Sequence, residues 1–178
     1  MPEEEERLDI RQFSGTGIGL SLNVPNVLTG MSVFRMSPTW NFGAFASGRM
    51  TFNSPGKGEF FERDMTVAEA RARGDERFRD QDVYRTFTVG VIRALDLGLA
   101  LFAGVGYTKK SAYREFRDEE EEKGDMGFYW VERHDETKSG LNLTGGVLIQ
   151  ISDFLFLKGG GELFPRGVNL GVYLGLPF

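Results

Sequence analysis

The last segment of the chain, GVNLGVYLGLPF at 167–178, alternates between two kinds of residue with a period of two. A period of two predicts a β-strand whose two faces meet different surroundings. The second face is mainly glycine and asparagine, and the segment contains no lysine, arginine or carboxylate. The first face carries only large apolar side chains, namely Val168, Leu170, Val172, Leu174, Leu176 and Phe178. This combination of faces constrains the fold more than any other feature of the sequence.

The same alternation recurs along the chain and is interrupted by short turn signals. Each repeat has about the length of a tilted strand that crosses a bilayer, roughly 9–11 residues. The pattern predicts eight strands, at 15–24, 28–36, 41–52, 83–95, 97–108, 139–152, 154–164 and 167–178.

Charged residues are concentrated between these strands. The segments 13–53, 84–107 and 139–178 together hold only nine of the 47 charged residues. Two long charge-rich connections, at about 54–82 and 109–138, follow the third and fifth strands, whereas the even-numbered connections are tight. In an antiparallel meander the odd-numbered connections share one end, so the sequence predicts long loops at one end and short turns at the other.

The chain divides into an acidic N-terminal segment at 1–12 and a barrel domain at 13–178. Within the first long loop, TVAEARARG at 66–74 predicts a short helix. Within the second, YREF at 113–116 and GFYWVER at 127–133 predict a hairpin that extends the flanking strands above the barrel. The acidic run between them would form the tip of that hairpin.

The composition of the second face predicts which side of the barrel points outward. A soluble barrel carries lysine, arginine and carboxylates on its outer surface. Here the second face of the first strand is Gly17, Gly19, Ser21 and Asn23. Small and neutral polar groups suit the narrow lumen of an eight-stranded barrel. We therefore predict an all-β, eight-stranded antiparallel up-and-down transmembrane barrel, with short periplasmic turns and longer extracellular loops.

A few charged residues lie inside the predicted strands. Lys158 and Glu162 share one face of the seventh strand, opposite its leucines. Charges within membrane-spanning segments face the interior and pair with one another. The sequence therefore predicts a lumen polar network of Arg49, Lys158 and Glu162, with Arg35 as a further candidate.

Aromatic residues occur near the predicted strand ends, where membrane barrels carry girdles of aromatic side chains at the two interfaces. The predicted girdle residues are Phe13, Trp40, Phe42, Phe52, Tyr84, Tyr107, Phe154, Phe164 and Phe178.

An alternating closing strand that ends in an aromatic residue resembles the last strand of the small bacterial outer-membrane barrels of the OmpA and OmpX type. In that family the barrel assembly machinery recognises the last strand. The resemblance implies that Val172, Leu174, Leu176 and Phe178 form such an assembly signal. It also implies a bacterial outer-membrane location, contact with outer-membrane lipid or lipopolysaccharide, and both termini on the periplasmic side. The first residues, MPEEEERLDI, lack the basic start and apolar core of a secretory signal.

Composition limits the chemistry that the chain can perform. It has one histidine and no cysteine, which leaves no multi-histidine or thiolate metal site, and we expect no cofactor. The net charge of −5 and the lack of a basic stripe argue against nucleic-acid binding. We expect a non-enzymatic barrel with a structural role, or with a surface-recognition role through loops that contact a protein or another ligand.

Two alternatives stay open. Small outer-membrane barrels include lipid A deacylases and acyltransferases, and His134 lies near Ser139, Asp135 and Glu136 in a predicted loop. A catalytic triad needs these groups in contact in space, which proximity in sequence does not establish. The second alternative, a soluble lipid-binding barrel of the lipocalin type, would need a charged outer face.

Overall fold

The computed structural model describes residues 15–37, 39–52, 55, 61–62, 65–95, 97–118 and 127–176. No helix among these residues combines the length and apolarity needed to cross a membrane. Within them the chain forms one helix, α1 (Val67–Arg73), and nine strands: β1 (Gly15–Val24), β2 (Leu28–Met36), β3 (Phe42–Thr51), β4 (Glu76–Ala94), β5 (Leu99–Arg117), β6 (Phe128–Glu132), β7 (Lys138–Ser152), β8 (Leu155–Leu163) and β9 (Arg166–Leu176).

Eight of these strands form a closed antiparallel barrel, which confirms the predicted fold class. Each of the strands β1 to β4 pairs with its neighbour in sequence, and β4 pairs with β5. The circuit continues through β7, β8 and β9, and β9 pairs with β1 to close it. β6 lies outside the circuit, because the strand with which it pairs is the part of β5 that extends beyond β7, and its other partner is an isolated bridge to Phe61. Closure leaves the barrel without free strand edges.

The faces point as the alternation predicts. Leu20, Leu143 and Leu174 lie on the outer surface and are 70%, 44% and 59% exposed. The polar and small residues of the same strands point into the lumen, where Ser21, Asn23, Asn142 and Asn169 are buried. This polarity is the reverse of that of a soluble lipid-binding barrel, whose apolar face points inward.

The lumen has two halves of different character. The end where β2–β3, β4–β5 and β7–β8 connect is here called the turn end, and the opposite end is called the loop end. Near the turn end the lumen is filled by an apolar plug. Toward the loop end its lining is polar. The residues of the plug are Phe34, Met36, Phe45, Ile92, Ala94, Ala100, Phe102, Leu148, Phe156 and Tyr173.

The facing of β2, which its sequence leaves ambiguous, is decided by the plug. Phe34 and Met36 point into the lumen and are 2% exposed. Arg35 lies between them and therefore points outward, where it is exposed. The expectation that Arg35 joins the lumen polar network is wrong. The inward positions on either side of it are occupied by Phe34 and Met36, whose side chains fill the lumen.

The predicted girdle residues lie near the two rims of the barrel. Trp40, Phe42 and Phe154 are exposed at the turn end, and Phe52 and Tyr107 are exposed at the loop end. Tyr84 and Phe164 are partly buried at the loop end. Phe13 and Phe178 lie outside the described residues.

The two long loops build one compact headpiece at the loop end. β4 and β5 continue well beyond the barrel and pair with each other from Glu76 and Arg117 down to the barrel wall. β6 pairs with β5 and adds a third strand to this extension, which is the predicted hairpin. Helix α1 lies within the segment that the sequence predicts to be helical. β4 and β5 are longer than the sequence indicated, because charged residues beyond the barrel can occupy a sheet that is exposed to solvent.

Helix α1 begins and ends at residues suited to those positions. Thr66 is the N-cap: its Oγ1 accepts a hydrogen bond from Glu69 N at 3.2 Å, and Glu69 Oε2 accepts one from Thr66 N at 2.6 Å. This reciprocal pair is a capping box. Gly74 ends the helix with φ of 92°, a left-handed conformation that glycine adopts without a steric penalty.

Candidate functional site

The polar half of the lumen is organised around one carboxylate. Arg49 on β3 donates from Nη1 to Glu162 Oε2 at 2.7 Å and from Nη2 to Oε1, which makes a bidentate ion pair. Asn23 Nδ2 donates to Glu162 Oε2 at 2.8 Å, and Asn142 Nδ2 donates to Oε1. The Arg49 and Glu162 side chains are 1% and 0% exposed. The carboxylate therefore has a counter-charge and four donors, which is what burial of a charge requires.

Lys158, the third predicted network residue, occupies a different place. Its Nζ lies 4.8 Å from the ring centroid of Phe45 and 4.4 Å from that of Phe102. No ion pair within 4.0 Å joins Lys158 to a carboxylate in the segments that the structure describes. The structure thus brings Arg49 and Glu162 together and leaves Lys158 between the polar half and the plug. Phe45 has the same parity along β3 as Arg49, and that parity is the signal for its lumen position.

The plug is a set of aromatic rings packed edge to face. Phe34 lies 5.2 Å from Phe156 and 5.5 Å from Tyr173, and Phe45 lies 5.6 Å from Phe102, between ring centroids. The cavity that remains beside Lys158 has a volume of about 10 Å³, which is room for roughly one water molecule. The glycine face makes this packing fit, because a Cβ at Gly17 would overlap the Phe34 ring.

The predicted assembly strand is β9, the last strand of the barrel. Val172, Leu174 and Leu176 all point outward and form the apolar face of this strand. β9 pairs along its length with both β8 and β1, so it closes the barrel. Phe178, the fourth residue of the predicted signal, lies outside the described residues.

The headpiece has a hydrophobic core of its own. Phe116, Tyr129 and Val131 on the sheet face α1 and are fully buried. Met65 and Ala70 cover them from the helix side, and Val67 packs against the same cluster. A rigid sheet with a covering helix holds the surrounding surface in a fixed shape, which suits recognition.

A polar cluster lies on the barrel side of this core and is centred on Asp80. Arg114 donates from Nε to Oδ1 at 2.7 Å and from Nη2 to Oδ2 at 2.9 Å. Arg133 Nη1 and Arg77 Nη2 approach Asp80 Oδ2 at 2.6 and 2.8 Å. The hydrogen bonds from Arg114 hold the pKa of the Asp80 carboxyl below its usual value, and the charges of the other two arginines act in the same direction. The cluster joins β4 and β5 to Arg133, the residue that follows β6.

The opposite face of the headpiece sheet carries stacked aromatic and arginine side chains. The Arg79 guanidinium lies 4.9 Å from the Trp130 ring and forms an ion pair with Glu115 at 2.6 Å. At the tip, Phe78 and Phe128 pack edge to face with 5.0 Å between ring centroids. Phe78 lies at an irregularity in the β4–β5 register and is 60% exposed.

The residues of the enzymatic alternative are not assembled. His134 lies exposed in the turn before β7, and no hydrogen bond joins it to Ser139 or to a carboxylate within the described residues. Glu136 pairs with Arg133 instead. Among those residues no group of three or more histidine, cysteine, aspartate or glutamate side chains converges on a metal position. Most of the acidic run after Arg117 lies outside the described residues.

A closed barrel with an apolar exterior, a polar and aromatic interior and strands long enough to span a bilayer defines a membrane-type eight-stranded β-barrel. No protein-family model matches the chain, and no curated protein sequence does. Among solved structures it is similar to Ail, the attachment invasion locus protein of Yersinia pestis, alone and in complex with the heparin analogue sucrose octasulfate. The identity is 13%, with 90% of this chain and 93% of the other covered and TM-scores of 0.49 and 0.48.

Proposed function

We propose that the protein is a bacterial outer-membrane barrel without enzymatic activity, which anchors its headpiece on the outer surface of the cell for recognition. The single observation that carries this proposal is the inverted polarity of the barrel. Its outer surface consists mainly of apolar side chains, most of them leucine, valine and isoleucine, while its buried charges lie inside. Such an apolar surface is costly in water and favourable in hydrocarbon.

The orientation follows from the headpiece. Its sheet carries many charged side chains, including Glu76, Arg77, Arg79 and Arg117, which are all exposed. In outer-membrane barrels the long loops face outward and the short turns face the periplasm. The headpiece therefore lies outside the cell, where its base is in contact with lipopolysaccharide.

The tip of the headpiece is the proposed recognition surface. Phe78 is exposed beside Phe128, and the Arg117 guanidinium lies 5.9 Å from the Phe128 ring. Aromatic residues and arginine dominate the binding energy of many protein interfaces. We therefore expect a partner protein to contact this cluster.

The membrane assignment is tested by placing a charge on the outer surface. Leu20→Arg puts a guanidinium in the middle of β1, and it is expected to lower the free energy of unfolding by about 2–4 kcal/mol in lipid vesicles. Glu76→Arg introduces the same side chain in the headpiece and is the control, with an expected change within about 0.5 kcal/mol. Urea unfolding of the vesicle-inserted protein measures both. Equal effects of the two substitutions, or a chain that stays soluble without detergent, would overturn the assignment.

The recognition role is tested on cells that display the protein. Phe78→Ala is expected to reduce adhesion to host cells at least about fivefold, the change expected for removal of one interface anchor. Phe154→Ala is the matched control, because Phe154 is an equally exposed phenylalanine at the turn end. Surface levels are equalised before adhesion is counted. Unchanged adhesion of the Phe78→Ala cells would contradict the proposed surface.

The outward side chains of β9 are the proposed assembly signal. Removal of Phe178, or Leu174→Asn, is expected to slow insertion by the assembly machinery while the chain still folds spontaneously into thin vesicles. A comparable Leu20→Asn substitution in β1 is the control. If all three variants insert equally fast with the machinery, β9 carries no special signal.

A further inference from the structure

The wall formed by β7, β8 and β9 carries a groove on its outer surface toward the loop end. Gly145 and Gly161 are paired across β7 and β8 and form its floor. A Cβ placed at Gly161 would meet no atom within 4 Å. Leu143, Leu163 and Val168 are its apolar walls, and its volume is about 500 Å³. This volume lies within the range of small-molecule sites, about 300–1,000 Å³.

Another open outward position follows the groove on β8. Gly159 is the next outward position of β8 toward the turn end, and a Cβ there would also meet no atom within 4 Å. Since a hydrocarbon chain is long and narrow, a depression that follows a strand matches its shape. In the proposed membrane setting the medium that fills an outward apolar groove is lipid.

A positively charged side chain lies where the groove reaches the loop end. Arg166, the first residue of β9, lines the groove and is exposed. Its carbonyl oxygen accepts a hydrogen bond from Asn26 Nδ2 at 3.1 Å, which ties the start of β9 to the β1–β2 turn. The guanidinium forms no ion pair within 4.0 Å among the described residues. Guanidinium groups bind phosphate through two parallel hydrogen bonds.

We propose that this groove is a lipid site, in which an acyl chain of a phosphate-bearing lipid lies on Gly145 and Gly161 and its phosphate binds Arg166. The proposal rests on the proposed membrane location and adds a specific ligand class to it. Arg166 lies closer to the loop end than the apolar groove does. In the proposed membrane setting, this places the guanidinium at the level of the lipid phosphate and the groove at the level of the acyl chain. Charge complementarity at the interface therefore selects an anionic lipid over a neutral one.

The experiment measures retained lipid by native mass spectrometry. The whole chain is inserted into phosphatidylethanolamine vesicles containing lipid A, then transferred to a mild detergent. The wild-type protein is expected to retain one lipid A molecule. Gly161→Leu fills the groove and is expected to abolish retention, whereas Gly48→Leu, at another outward glycine with no atom within 4 Å of its Cβ position, leaves retention unchanged.

The head-group contact has its own pair of variants. Arg166→Gln is expected to lower retention about fivefold, since an arginine near an anionic lipid contributes on the order of 1 kcal/mol. Arg85→Gln removes an outward arginine from the same end of the barrel on β4, away from the groove, and is expected to have no effect. With dephosphorylated lipid A, the wild-type protein and the Arg166→Gln variant are expected to retain the lipid equally.

The outcomes separate this proposal from the one on which it rests. Failure of the wild-type chain to insert into vesicles would contradict the membrane location. Normal insertion with equal lipid retention by Gly161→Leu and Gly48→Leu would overturn the groove alone. A wild-type dimer that Gly161→Leu dissociates, without any bound lipid, would assign the groove to a second copy of the chain and would also overturn the lipid site.

Discussion

At the scale of single residues, the two charges at the centre of the barrel depend on each other. Arg49 and Glu162 lie 113 positions apart in sequence and are bridged by two hydrogen bonds inside a closed lumen. Removing one partner of a buried pair leaves the other charge without compensation, which costs more than the pair itself contributes. The pair is therefore best examined by comparing single and double substitutions.

Glu162→Gln is expected to lower the free energy of unfolding by about 3–5 kcal/mol, because Arg49 then keeps a buried charge without a counter-charge. Adding Arg49→Met to this variant is expected to recover part of the loss. Arg35→Met, at an exposed outward arginine, is the control and should change stability by less than about 0.5 kcal/mol. Urea unfolding in vesicles measures the wild type, these three variants and the Arg49→Met single variant, and strictly additive losses in the double variant would contradict the pairing.

Asp80 gives the headpiece a defined response to acid. Its pKa is below the ordinary value in the folded state because Arg114 donates hydrogen bonds to it. A carboxyl with a lowered folded pKa contributes stability that is present above its unfolded pKa, about 4, and is lost as the pH falls through the lower, folded pKa. We expect the fluorescence of Trp130, in a Trp40→Phe background, to change in this acidic range. The Asp80→Asn variant should show at pH 7 the Trp130 fluorescence that the unsubstituted protein shows only in acid. If Asp80→Asn does not change the dependence of the fluorescence on pH, the cluster does not hold the headpiece together.

At the scale of elements, the headpiece combines a sheet continuous with the barrel and a helix that is not. β4 and β5 run without interruption from the barrel into the headpiece, so the headpiece sheet is anchored in the barrel wall. Helix α1 has seven residues, too few to be stable alone. Its position depends on the capping box and on the contacts of Met65 and Ala70 with the sheet.

Thr66→Ala removes the N-cap acceptor of α1 and is expected to destabilise the helix by about 1 kcal/mol. Amide exchange in α1 should become about fivefold faster, because a loss of about 1 kcal/mol raises the population of the open helix by that factor. Exchange in the barrel strands should not change. The amides of β5 between Leu99 and Tyr107 are an internal reference. Equal acceleration in the helix and in this reference would mean that α1 is not a locally unfolding unit.

At the scale of the whole molecule, the lumen of the barrel is closed by its own side chains. The apolar plug fills the turn-side half of the lumen, and the Glu162 group crosses the polar half. Barrels of eight strands have interiors that side chains just fill. The barrel therefore carries the headpiece at one end and leaves no open path along its axis.

Purified protein in planar bilayers is expected to give no stepwise current, because the rings of Phe45 and Phe102 pack against each other inside the lumen. Replacing both by alanine removes this contact at a cost of about 3–5 kcal/mol for each ring and should produce brief, small current steps. A porin added to the same bilayer confirms that channels are detectable. Stable current steps from the unchanged protein would contradict a sealed lumen.

Alternation in the sequence was enough to predict the eight barrel strands and the end at which the long loops lie, but it left the facing of β2 open. These properties are local: alternation assigns each side chain to a face, and the parity of a connection assigns it to an end. The helix at Val67–Arg73 follows likewise from its cap and composition. The position of Arg49 and Glu162 in the lumen was predictable for this reason, as was the outward face of β9.

Which of these residues come into contact depends on the closed three-dimensional fold. Closure of the barrel brings β3 opposite β8, so Arg49 pairs with Glu162 while Lys158 stacks on two phenylalanine rings. It also sets Gly145 beside Gly161 and Arg166 above them, and it joins two distant loops into one headpiece. Such contacts depend jointly on the strand register, the barrel circumference and the packing of the loops. A local pattern of residues contains no information about the distance between two strands on opposite sides of the barrel.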